Sequence, residues 1–87
     1  MGDYIRVDDV FDIKGVVSAG AVDMKEINGE KYALFSSIYV LKEKLKSKKD
    51  LEKIEQLLLK NGYEYEVIED LESYLGEEKP HYIFLLK

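Results

Sequence analysis

A chain of 87 residues with a net charge of −5 is too short for two independent cores, and too acidic to be drawn to a polyanion from most directions. Hydrophobic residues at 46% against 36% charged residues support one packed core rather than disorder, and a domain this small leaves little apolar surface for a deep cavity. The absence of cysteine excludes disulfides, thiolate zinc sites and cysteine nucleophiles, and no run of about 18 apolar residues is present to cross a bilayer.

In chain order, Tyr4 to Val7 can form a short strand. From Val10 to Val17 the residues alternate, with Phe11, Ile13 and Val17 on one side and Asp12, Lys14 and Val16 on the other, as a half-buried strand requires. Ala21 to Ile27 and Lys31 to Phe35 flank Asn28-Gly29, a strong hairpin signal. Two registers compete. A two-residue turn pairs Glu26 with Lys31 and sets Val22 and Met24 beside Phe35 and Ala33. A three-residue turn pairs Met24 with Tyr32 and Val22 with Leu34, but opposes Lys25 to Lys31 and Glu26 to Glu30. Avoiding like charges favours the first.

Ser36 or Ser37 then caps a helix in which Ile38, Leu41 and Leu45 recur, ending near Ser47, and Asp50 caps a second. The second buries Leu51, Ile54, Leu57 and Leu58, and Asn61-Gly62 supplies a left-handed stop. Tyr63, Tyr65 and Val67 alternate with Glu64, Glu66 and Ile68, which reads as a strand with an acidic face. Asp70 to Leu75 is expected to form a short helical turn ended by Gly76, and Tyr82 to Leu86, apolar on both faces, a central strand. The predicted whole is one α+β domain spanning residues 1–87. It has two layers: a four- or five-stranded, mainly antiparallel or mixed sheet, covered on one side by the helical pair.

The residue types that perform chemistry are sparse. His81 is the only histidine, and no serine sits in a Gly-x-Ser-x-Gly elbow. Gly15 and Gly20 have phosphate-loop spacing, but Ala21 and Val22 stand where Lys and Ser or Thr are needed. The expectation is a non-enzymatic domain without an obligatory cofactor. Carboxylates, in contrast, cluster beside turns. Glu69, Asp70 and Glu72 form one group, with Glu77 and Glu78 across the turn, and Asp8, Asp9 and Asp12 form another. Calcium, which accepts six to eight oxygens in tolerant geometry, is the ion such groups suit, at dissociation constants of about 0.1 to 1 mM. The bland explanation is a solubilising surface.

Residues 42–60 carry the one basic patch, at +3, while the rest of the chain is −8. In a continuous helix Lys42, Lys46, Lys49 and Lys53 would share a face for nucleic acid, but only one arginine, Arg6, accompanies them, so this ranks last. A protein partner ranks second to calcium, since Tyr4, Tyr63, Tyr65 and Tyr74 could compose an amphipathic surface. No secretion signal or membrane segment is evident, so the expected setting is cytoplasmic, as a monomer or weak homodimer.

The layout of hairpin, helical pair, strand, turn and returning strand, with Asn28-Gly29, Asn61-Gly62 and the Lys-rich helices, resembles the small uncharacterised α+β proteins of methanogenic archaea. The chain's richness in Lys and Glu and its scarcity of Asn, Gln and Cys agree with a thermophilic source. The resemblance implies a fold and a habitat, and carries over no catalytic residue.

Overall fold

The structure, a computed structural model, describes residues 2–87. Its elements are β1 (Ile5–Arg6), α1 (Val7–Phe11), β2 (Val16–Ile27), β3 (Glu30–Leu41), a single 3-10 turn (Lys42–Lys44), α2 (Lys48–Lys60), β4 (Tyr65–Tyr74) and β5 (Glu77–Leu86). Every strand pairing is antiparallel, which makes this an α+β protein with a five-stranded antiparallel sheet. β3 is central: β2 lies along one edge, while β1 and β5 share the other, and β4 lies outside β5. Among the described residues no helix is long and apolar enough to cross a membrane.

The first hairpin adopts the two-residue turn, with Glu26 opposite Lys31 and Ile27 opposite Glu30. Asn28 and Gly29 both have positive φ, as a type I′ turn requires. Met24 is opposite Ala33 as that register demands, but Val22 is not beside Phe35. Ala21 takes that place, and Val22 is an extra residue before the Asp23–Leu34 pair.

Ala33 and Phe35 enter the core together with Ile38 and Val40, although a regular strand would send odd and even positions to opposite faces. The extra residue is Ser36, skipped between the Gly20–Ser37 and Ala21–Phe35 pairs, and this bulge reverses the alternation. Ile54 and Leu58 of α2 pack into the same cluster with Phe84 of β5, Ile5 and Val10. Each such side chain contributes about 1.5–3 kcal/mol by leaving water, set against the entropy of ordering the chain. Tyr63 fixes the amino-terminal segment to this core, because its hydroxyl accepts the Phe35 N–H at 3.1 Å and donates to the Asp3 carbonyl at 2.8 Å.

Several expectations are corrected. Val10 to Val17 is not a strand: Val7–Phe11 is helical, with Asp8 and Asp9 favourably placed in its first turn, and Gly15 at φ +95° turns the chain into β2. The predicted strand over Tyr4–Val7 reduces to Ile5–Arg6. The helix expected from Ser36 to Ser47 is the second half of β3 and the 3-10 turn. Ile38 and Val40 are buried on the α2 face and Leu41 is buried on the opposite one, so the end of this strand hides apolar side chains on both faces and the spacing of Ile38, Leu41 and Leu45 imitates a helix. No helical pair therefore covers the sheet. α2 forms as expected, but its N-cap is Ser47, whose hydroxyl accepts the Lys49 N–H, while buried Asp50 in the first turn accepts the Lys46 N–H at 3.1 Å. Asn61 and Gly62, at φ +79°, end it.

The helical turn over Asp70–Leu75 is absent. β4 runs straight to Tyr74, and Leu75-Gly76 is a second two-residue turn with both residues at positive φ. β5 is central, between β3 and β4, as its apolar run implies. Pro80 is tolerated there because β3 pairs only with residues 81–85 of β5, so the missing N–H falls beyond the end of β3.

Candidate functional site

The carboxylates singled out in the sequence are distributed by β4's alternation. Glu69 lies on the face shared with Val40 and Tyr82, where the Lys42 amine bonds its carboxylate and also stands 4.6 Å from the Tyr82 ring centroid. Asp70 and Glu72 lie on the opposite face, in register with His81 and Lys79. Lys79 bridges Glu43 at 2.8 Å and Glu77 at 3.6 Å, and Glu78 is opposite Ser73 on the other face. Asp8 and Asp9 flank Arg6, at 3.7 and 3.0 Å, and Glu30 joins them at 3.3 Å. Asp12 ends α1 apart from these contacts. Among the described residues no three His, Asp or Glu side chains are placed to share a metal ion. The basic partners respond as paired cations do: the hydrogen bond to Glu69 raises the Lys42 pKa, that to Glu43 raises Lys79, and that to Asp9 raises Arg6.

The lysine face is likewise dispersed. Lys42 belongs to the 3-10 turn, Lys46 to the link after it, and Lys49 and Lys53 to α2, so no continuous helix aligns the four. The tyrosines do not compose one surface either. Tyr63 is buried, Tyr65 packs against Phe84 and bonds Glu55, Tyr4 bonds Asp23 near the first hairpin, and Tyr74 lies at the end of β4.

What the fold does present is the outer edge of β4. This strand pairs with β5 over ten consecutive positions, Tyr65 opposite Leu86 through Tyr74 opposite Glu77, without a bulge, and its other side pairs with nothing among the described residues. β2 is also an edge strand, but extra residues at Val17 and Val22 interrupt it, which discourages pairing. A two-residue turn makes Tyr74 and Glu77 a hydrogen-bonded pair, so even-numbered β4 residues bond inward and the N–H groups of Val67, Glu69, Leu71 and Ser73 face outward. The Leu71 N–H is taken by the Asp70 carboxylate at 2.8 Å. Along this edge Val67, Ile68, Leu71 and the turn residue Leu75 are exposed, with Leu75 at 86%. Glu66, Glu69, Asp70 and Glu72 make the strand acidic, with no basic residue in it.

Sequence reasoning missed this edge because Leu75 concealed the turn. The available signal was that a Leu-Gly pair lies between two stretches of similar length, both able to alternate. Comparison of the chain with protein-family models, curated proteins and solved structures finds no match.

Proposed function

We propose that this is a non-catalytic protein-interaction module that adds an extended, basic segment of a partner to the outer edge of β4. The observation that carries the reading is the uninterrupted ten-residue edge with outward backbone donors and acceptors and exposed apolar side chains. Strand addition draws affinity from main-chain hydrogen bonds and specificity from alternate side chains. On the α2-packed face the partner would meet Val67 and Leu71, with Glu69 between them already paired to Lys42, and on the opposite face Glu66, Asp70 and Glu72 around Ile68, so a strand alternating apolar and basic residues fits best. A second copy pairing through β4 would set acidic residues against acidic ones, which favours a different chain over a homodimer.

The calcium reading has less support, since Lys42, Lys79 and Arg6 already supply the positive charge near Glu69, Glu77, Asp8 and Asp9. A calcium titration that saturates at residues 69–78, while magnesium and sodium do not, would reinstate it.

The test is titration of the domain with a peptide of β4's length alternating Lys and Val, followed by amide chemical shifts, for the native chain and for Val67→Pro. Val67→Pro removes an outward N–H and leaves the bonds to β5 in place. Saturable shifts along β4 that vanish in the variant support the reading. Equal binding by both, or no binding at low salt, overturns it.

A further inference from the structure

The face of the sheet opposite α2 carries a cleft of which the β4-edge reading uses only Glu72. Residues 17–20 of β2 and 72–74 of β4 line it together although these strands lie at opposite edges, so the sheet curls around this face. Its volume is about 590 Å³, within the range of ~300–1,000 Å³ usual for small-molecule sites. Register assigns Ser18, Ser37, Tyr39 and His81 to its floor and Glu72 and Tyr74 to its rim.

His81 is the one histidine in the lining of the cleft. It is only 2% exposed, and its Nδ1 lies 2.7 Å from the Lys79 carbonyl. A carbonyl oxygen can only accept, so Nδ1 carries the proton and Nε2 of the neutral ring is an acceptor. No buried side-chain nitrogen or oxygen among the described residues lacks a partner, and Nε2 has none among those residues, so Nε2 is not fully enclosed, and His81 lines the cleft. The Glu72 carboxylate also has no hydrogen-bond donor among the described residues, unlike Glu69 and Glu77, whose cations are already in place.

Two acceptors, one of them charged, then face a cavity with two tyrosine rings and no lysine or arginine in its lining. Anions are disfavoured there, and a group rich in N–H donors is favoured. Tyrosine faces complement such a group by attracting cations, and this chain shows the preference internally: lysine amines lie 4.0 to 5.1 Å from the ring centroids of Tyr4, Tyr82 and Tyr74. Tyr39 has no such lysine. We propose that the cleft between the start of β2 and the end of β4 binds a small organic cation, an ammonium or guanidinium compound, held by Glu72 and His81 Nε2 against Tyr39.

The probe is arginine amide, titrated into the full chain with sodium chloride at matched ionic strength as the screening control, and read from the His81 ring and the backbone amides. Saturable shifts at His81, Ser37, Tyr39 and Tyr74 are expected. Glu72→Gln should weaken binding about tenfold, the loss of one charge-assisted hydrogen bond, and half-exposed Glu72 tolerates the change without loss of fold. Tyr39→Leu provides a second variant that should weaken binding with Glu72 intact. Shifts that follow ionic strength, that map to Val67 and Glu69 instead, or that persist unchanged in Glu72→Gln would overturn the proposal. Glu72 is the one side chain the two readings share, and failure here leaves the β4-edge reading standing, since that is read at the outward amides of Val67 and Glu69.

Discussion

Replacing Leu75 by Asn should stabilise the domain, although it removes a large apolar residue. The two hairpins place their turn residues alike: φ is +51° and +80° at Asn28-Gly29, and +51° and +81° at Leu75-Gly76. The left-handed region costs an ordinary L-residue roughly 1–2 kcal/mol, and Asn, whose short polar side chain bonds locally, avoids much of this. Leu75 is 86% exposed, so truncation forfeits only about 0.2–0.4 kcal/mol of the ~1.5–3 that full burial of a leucine is worth. The net gain is about 0.5–1.5 kcal/mol, or a rise in Tm of roughly 2–12 °C for a domain of this size. Thermal melts followed by circular dichroism would measure it. The reciprocal change, Asn28→Leu, should lower Tm by a similar amount. A Leu75→Asn variant that melts at or below the native temperature would refute the reasoning.

Further expectations concern the core and the tyrosines. Ile54→Ala or Leu58→Ala should cost about 2–5 kcal/mol in urea unfolding, since each leaves a cavity between α2 and the sheet. A cost below 1 kcal/mol would mean that α2 is loosely docked. Tyr63→Phe strands the buried Phe35 N–H and releases Asp3, for a loss of about 1–3 kcal/mol. Burial raises the Tyr63 pKa above its ordinary value of 10.0, and hydrogen bonds to Asp23 and Glu55 raise those of Tyr4 and Tyr65. The folded state then holds these protons more tightly than the unfolded one. Their contribution is fully present below the unfolded pKa of 10.0 and is lost as pH rises from there through the folded values. Tm measured against pH, with tyrosinate absorbance in parallel, should fall above that point, and less steeply in Tyr63→Phe.

Legibility in the sequence followed how local each signal was. Asn28-Gly29 and Asn61-Gly62 are complete within a few residues, and both form the expected turn and helix end. Charge opposition, Glu26 to Lys31, chose the correct register. Ser36 to Leu41 was misread because its pattern is set by distant contacts: the bulge at Ser36 shifts the alternation, and Leu41, on the face opposite Ile38 and Val40, is buried as fully as they are. The β-branched and aromatic run Ile38-Tyr39-Val40 was the local cue for a strand, and the helical spacing of Ile38, Leu41 and Leu45 overrode it. Among the carboxylates, sequence proximity suggested convergence, yet Glu69 and Asp70 are neighbours on a strand and therefore point to opposite faces. His81 was recognised as solitary. That it lies on the floor of a cleft with Ser18, Ser37 and Tyr39 depends on the pairing of β2, β3 and β5, which the sequence does not announce.

The central claim is that β4's outer edge accepts another strand, and amide hydrogen exchange with and without the alternating Lys-Val peptide tests it most directly. The account predicts that the N–H groups of Val67, Glu69 and Ser73 exchange freely in the isolated chain and become protected when peptide is bound, while the inward-facing amides of Ile68 and Glu72 are protected in both. Protection that appears elsewhere, or outward amides that are already protected without peptide, would contradict it.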